Sequence, residues 1–223
     1  MSPEDILSHP PLVLTQEQRQ QYFEQGYLLL ESIIDKTWVE RLRVATNELV
    51  ERSRSITESD EHWSLEPDHM PEIPRLRRTT NPAGKHPAFW EFACESVLVD
   101  IVADIVGPDV KVVETQLNFK WRDGGSEIRW HQDAQFVPHT NYNVVYIGTY
   151  LSDTGMENGP LALVRNSHEG PLYDLYGDDD EWTGCLSEHD AAQVDMSKVD
   201  YLMGRAGTIT IHNCRSLHYS PDS

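Results

Sequence analysis

The sequence predicts an α+β domain in which helices come first and a core of short strands follows. Three observations carry this expectation. Apolar residues recur at helical spacing up to about residue 107, short alternating or β-rich runs fill the chain from about 108 onward, and turn signals separate those runs. Helices followed by many short strands suit a β-sandwich or a double-stranded barrel core. With 223 residues, 39% hydrophobic and 9% aromatic, the chain can bury a core within a single domain, 1–223.

The helical layer is expected over about 14–107. Thr15 to Gln25 reads as a helix, with Thr15 and Gln18 as a capping box and Gly26 as its stop. Tyr27 to Leu30 is a short apolar run with strand character. From Asp35 to about Arg54, Trp38, Leu42, Ala45, Leu49 and Val50 fall on one helical face. Residues 55–85 are polar and broken by Pro67, Pro71, Pro74 and Pro82, so a long irregular segment is expected there, of the kind that forms lids or substrate loops. One more helix is expected from about Pro87 to Val106, stopped by Gly107-Pro108, with Phe89 and Trp90 in its core face.

The strand-rich half is expected over about 108–223. Val112 to Trp121 alternates, with Thr115, Leu117 and Phe119 on one side and Gln116, Asn118 and Lys120 on the other. Val144 to Leu151, Leu161 to Val164 and Thr208 to Ile211 are β-rich. Asp123-Gly124-Gly125, Asn158-Gly159-Pro160 and the stretch from Gly204 to Gly207 supply the turns.

Charge excludes some functions. A formal net charge of −19 opposes binding to nucleic acid or to anionic membranes. Part of that charge is the run Asp178, Asp179, Asp180 and Glu181, which reads as a solvated loop. Arg75, Arg77 and Arg78 form a basic cluster that could steer an anion. The cysteines Cys94, Cys185 and Cys214 are scattered without a CxxC pair, which suits a reducing compartment. The acidic, proline-broken N-terminus is no signal peptide, and no apolar run reaches membrane-spanning length, so a soluble cytoplasmic protein is expected.

The chemistry centres on Trp130-His131-Gln132-Asp133. In extended backbone, residues two apart point to the same side, so His131 and Asp133 can grip one metal from one face. A distant second histidine would complete a two-histidine, one-carboxylate facial triad, which leaves three adjacent positions open on iron(II). His212 and His218 both sit near the last strand, and His212 shares the parity of Thr208 and Thr210. An HxD pattern alone is weak evidence.

The surrounding blocks are more specific. The stretch from Gln116 holds a strand, a glycine turn, the HQD motif, a β-rich strand, the turn ENGPL and Arg165-Asn166-Ser167-His168. GTITIHNCRSLHYS follows as a closing strand, and LTQEQRQQYFEQGYLLLESII stands near the start. In this order the blocks resemble the phytanoyl-CoA dioxygenase family. The resemblance implies a double-stranded β-helix (jelly-roll, cupin-like) core with N-terminal flanking helices. It implies iron(II), 2-oxoglutarate as co-substrate and O₂, with oxidative decarboxylation to succinate coupled to attack on a C–H bond of a small-molecule substrate.

Residue by residue, the resemblance assigns the metal and the catalysis to His131, Asp133 and His218, the last in a His218-Tyr219-Ser220 setting, and leaves His212 as a hydrogen-bonded neighbour. It assigns Gln116 and Tyr150 to the co-substrate pocket. Because Asp133 supplies a carboxylate where halogenating relatives have a small residue, hydroxylation is expected rather than halogenation. Relatives pair the far carboxylate of 2-oxoglutarate with an arginine about ten residues after the distal histidine, whereas this sequence ends at Ser223, five positions after His218. The expectation is a chain lacking its C-terminal strands; for a complete chain, Lys120 is the candidate anchor, because it shares a strand face with Gln116. Two other function classes stand beside the oxygenase: a non-catalytic barrel that binds metal or ligand, and a metal-dependent hydrolase, for which HxD would supply two ligands.

Overall fold

The computed structural model describes residues 1–121, 124–137, 141–177 and 179–223. Asp123 of the expected glycine turn and Asp178 of the acidic run therefore lie outside the described residues. Helix α1 (Pro3–Ser8) and helix α2 (Gln16–Gln25) lead into strand β1 (Tyr27–Leu30). The capping box of α2 forms between Thr15 and Gln18, and Gly26 ends the helix at φ 85°. Helix α3 (Lys36–Arg52) starts at Asp35, whose carboxylate accepts from the backbone N–H groups of Thr37 and Trp38.

Strands β2 (Trp63–Leu65) and β3 (Leu76–Thr80) follow, then helices α4 (Pro82–Lys85), α5 (Pro87–Glu95) and α6 (Leu98–Val106), and strand β4 (Gln116–Asn118). The last part of the chain holds β5 (Ile128–His131), β6 (Val145–Thr149), β7 (Leu161–Val164), α7 (Glu188–Ala191), β8 (Val199–Leu202), β9 (Ile209–Asn213) and β10 (His218–Ser220). These form three antiparallel sheets of strand order β1-β9-β6, β5-β10-β7-β8 and β2-β3-β4.

Period-two alternation makes the first sheet a partition. Leu28 and Leu30 of β1, Ile209 and Ile211 of β9, and Val145 and Ile147 of β6 face the helices, where they join Leu42, Leu49, Phe89, Phe92, Ile101 and Ile105. Tyr27 and Leu29 point the other way and pack with Leu161, Leu163 and Leu202 of the second sheet. The two sheets thus face one another across a shared interior, and residues of β9 on that side, Thr210 and His212, are buried in it. A third cluster, Val164, Leu175, Leu186 and Leu217 with Trp130 packed against it, supports the second sheet from its far side.

Four expectations are corrected. Residues 55–85 are not irregular throughout: they hold β2 and β3, and Pro67, Pro71 and Pro74 all fall in the connection between those strands, where a missing backbone N–H costs no ladder bond. The helix expected over Pro87 to Val106 is two helices, because Ser96 is extended and its hydroxyl caps the N–H of Leu98. Only Gln116–Asn118 of the expected strand from Val112 to Trp121 is paired, opposite Arg78, Thr79 and Thr80. Trp90 is exposed, since α5 turns Ala88, Phe89 and Phe92 inward.

Candidate metal centre

Strand pairing brings the two halves of the centre together. His131, last residue of β5, is directly opposite His218, first residue of β10, and His218 is also opposite Leu163 of β7. Gln132 continues in extended backbone, so Asp133 comes back to the His131 side before the chain turns. His131, Asp133 and His218 each offer a ligand atom, and these atoms lie within 4.8 Å of one another. His131 Nε2 is 3.6 Å and His218 Nε2 3.5 Å from the Asp133 carboxylate.

The imidazoles are oriented by backbone. His131 Nδ1 lies 2.7 Å from the carbonyl oxygen of Arg129, and His218 Nδ1 2.8 Å from that of Ser216. A carbonyl only accepts, so in each ring Nδ1 carries the proton and Nε2 presents its lone pair toward Asp133. This is how metal-binding histidines are commonly held. Burial keeps both rings neutral: it lowers the pKa of His131 and pushes that of His218 down to about 3. Burial alone would raise the Asp133 carboxyl, but His218, His212 and His131 around it outweigh that, and its pKa is lowered. Two neutral imidazoles and one carboxylate are a donor set that suits iron(II).

His212 enters from the opposite sheet. Its Nε2 donates to Asp133 Oδ2 at 3.0 Å, the oxygen that His218 also approaches, and its ring lies 4.5 Å from the His218 ring and stacks on Tyr146 at 5.6 Å. Its Nδ1 is buried without a hydrogen-bond partner among the described residues. The parity of Thr208, Thr210 and His212 did point this ring inward, next to the triad rather than within it.

Gln132, between the two ligand positions, is a residue that the sequence reading did not single out. It is fully buried, and its amide donates to the carbonyl oxygens of Pro171 (3.0 Å) and Arg215 (2.7 Å) while accepting from the N–H of Tyr173 (2.9 Å). One side chain therefore ties the HQD segment to two loops. Its parity was a usable signal, because a residue between two inward-facing ligands must point into the packing behind them.

Among the described residues no hydrogen bond, ion pair or ring contact joins the expected co-substrate residues to His131, Asp133 or His218. Gln116 is exposed on β4, in the third sheet. The Lys120 ammonium is half-buried and donates to the carbonyl oxygens of Ser126 and Pro221, both at 2.7 Å; burial lowers its pKa. Tyr150 follows β6 and its hydroxyl donates to the carbonyl of Leu202 at 2.5 Å. In the basic cluster, Arg75 pairs with Asp68 and Arg77 donates to the carbonyl of Glu127.

The family model for phytanoyl-CoA dioxygenase matches residues 22–222. The chain belongs to the phytanoyl-CoA dioxygenase family. It is an iron(II)- and 2-oxoglutarate-dependent dioxygenase of that family, with O₂ as oxidant. It is 27% identical over 206 residues to a probable alpha-ketoglutarate-dependent hypophosphite dioxygenase of Stutzerimonas stutzeri, covering 92% of this chain and 72% of the relative. It is 22% identical to the ectoine dioxygenase of Sphingopyxis alaskensis, covering 87% of this chain and 66% of the relative. A crystal structure of EctD from S. alaskensis with bound Fe superposes with a TM-score of 0.76 at 20% identity, over 94% of this chain and 72% of that one. The facing sheets are accordingly the jelly-roll of this class, with the helices on one side, as expected from the family's pattern. No helix of the described residues is long and apolar enough to cross a membrane.

Proposed function

We propose that His131, Asp133 and His218 hold iron(II) and that the protein hydroxylates a C–H bond of a small-molecule substrate. The observation that carries this reading is the convergence of two Nε2 lone pairs, each fixed by a backbone carbonyl behind it, on one carboxylate. When bound, iron(II) with 2-oxoglutarate and O₂ supplies an oxidation in which one oxygen atom enters the substrate and the other enters succinate, with release of CO₂. The chain's own part is positional. His131 and His218 stay neutral and available as donors, Asp133 supplies the single negative charge, and His212 binds the carboxylate oxygen Oδ2. The interior between the sheets excludes bulk water from His218 and His212, both buried.

Gln116, Lys120 and Tyr150 are proposed to serve the co-substrate; within residues 1–223 Lys120 is the candidate partner of its far carboxylate, with an ammonium that now donates to the carbonyl oxygens of Ser126 and Pro221 and lies 3.5 Å from that of Ser220. Three free cysteines are consistent with work in a reducing compartment such as the cytoplasm.

The test is O₂ uptake and succinate formation, measured together on the iron-loaded protein with 2-oxoglutarate. Equal amounts are expected, and Asp133→Ala should abolish both. Iron binding without succinate would favour the non-catalytic barrel, and unchanged turnover in Asp133→Ala would remove the mechanism.

A further inference from the structure

From the ring of His131 a chain of aromatic side chains runs outward to solvent. Phe136 meets the His131 ring edge-on at 5.8 Å, Trp182 meets Phe136 at 5.5 Å, and Tyr176 meets Trp182 at 5.2 Å. The last two contacts are edge-to-face, at 78° and 75°, so each takes up at most one face of one ring and leaves the opposite face uncovered by its partner. All three side chains are more than two-fifths exposed, which is unusual for large aromatics standing together.

The platform is built rather than loose. Tyr176 and Trp182 are paired across a short hairpin whose turn is closed by the N–H of Gly177 on the carbonyl of Glu181. The hairpin is anchored by Leu175, fully buried, and the N–H of Leu186 donates to the carbonyl of Trp130, next to His131. Gly184, at φ +66°, makes the floor: a Cβ there would lie 3.3 Å from the Phe136 ring and 3.6 Å from Trp182 Nε1. A side chain at that position would push the rings apart.

The segment that carries Tyr176 and Trp182 is acidic, and Arg215 meets it at the carbonyl of Gly170. Between Asn166 and Ser197 the sequence has nine Asp or Glu and no Lys or Arg. Among the described residues, no Lys or Arg stacks on Phe136, Tyr176 or Trp182, although the protein makes such contacts at Trp38, Trp63, Trp121 and Tyr142. The cations Arg77 and Lys120 contact residues 126–127, before the start of β5, whereas the aromatic platform stands beyond its end. Open aromatic faces in an anionic field next to a metal centre attract a positively charged alkylammonium group.

We propose that Phe136, Tyr176 and Trp182 bind the substrate, and that the substrate carries a substituted ammonium group which these rings hold while a neighbouring carbon faces the metal centre. The assignment rests on the proposed hydroxylase reading and adds the substrate class to it.

The experiment titrates metal-free protein with choline, with its uncharged carbon isostere 3,3-dimethylbutan-1-ol, and with propionate, following the Trp182 indole N–H by NMR. Its resonance is identified by its loss in Trp182→Phe. Choline is expected to bind at least about 3-fold more tightly than the isostere, by the usual size of a cation–π contribution. Measured by calorimetric titration, because the Trp182 variants lack the indole reporter, Trp182→Ala and Tyr176→Ala should each weaken choline by a similar factor, and Trp182→Phe should weaken it less. Equal binding of the isostere, tighter binding of propionate, or choline binding unmoved by both alanine variants would overturn the assignment. Should Trp182→Ala fail to fold, Tyr176→Ala and Trp182→Phe carry the test. Because these titrations contain no metal, a failure of iron binding by the wild-type protein would remove the hydroxylase reading alone.

Discussion

Replacing Gln132 with leucine keeps the volume of a fully buried side chain but deletes all three of its hydrogen bonds. The carbonyls of Pro171 and Arg215 and the N–H of Tyr173 then lose their side-chain partner, and an apolar group takes its place. At about 1 kcal/mol per bond the cost is about 3 kcal/mol, with the N–H as its most expensive part. For a chain of this size that corresponds to a fall in Tm of about 6–12 °C. The second consequence is local. Gln132 stands between His131 and Asp133 and ties them to the loops at 171–173 and 213–215, so iron affinity should fall about 10- to 100-fold, the usual effect of loosening a ligand's support. Thermal unfolding followed by circular dichroism gives the first number, and competition with a coloured iron(II) chelator gives the second. A Tm within about 2 °C of wild type would refute the clamp; a large fall in Tm with unchanged iron affinity would show that the clamp serves the fold alone.

Three other outcomes follow from the same geometry. His218→Ala should nearly abolish iron(II) binding in the chelator competition, whereas His212→Ala should weaken it only about 10- to 100-fold through Asp133; the reverse order would make His212 the ligand. In metal-free protein His218 is held down at about 3 by burial, while an unfolded histidine titrates near 6.5, so the unfolded chain takes up protons first as pH falls. Stability is therefore complete above about pH 6.5 and is lost progressively toward pH 3; His218→Gln should flatten that slope in Tm measured against pH, and an equally steep slope would contradict the assignment. Lys120→Ala should weaken 2-oxoglutarate binding at least about 10-fold in calorimetric titration, as expected for loss of a charged partner, and tight binding that survives the change would rule Lys120 out as anchor.

Local signals were legible where one residue type has one physical job. Thr15, Gln18 and Gly26 bounded α2, Asp35 began α3, and the alternation of Thr208, Thr210 and His212 put those side chains between the sheets. His131 and Asp133 were readable as a pair because two-residue spacing in extended backbone sets both on one side, and the family's block order offered His218, which strand pairing sets beside them. Less legible was anything that depends on a distant partner. β2 and β3 look like proline-rich loop until β4 lies beside them, and the extended Ser96 that divides α5 from α6 carries no strong breaker in its neighbours. Gln132 drew no reading of its own because its three partners, at 171, 173 and 215, are far away in sequence. The acidic run around Asp179 and Asp180 read as solvated loop; its meaning changed only once the hairpin set Tyr176 and Trp182 against Phe136.

The metal assignment is tested most directly by crystals of the protein grown with manganese(II) or, without oxygen, iron(II), and examined by anomalous scattering at the metal's absorption edge. One peak is predicted, at roughly 2.0–2.3 Å from His131 Nε2, an Asp133 carboxylate oxygen and His218 Nε2. His212 should remain hydrogen-bonded to Asp133 and outside the coordination sphere. A peak ligated by His212 in place of His218, or well-diffracting crystals with no peak between these side chains, would contradict the account.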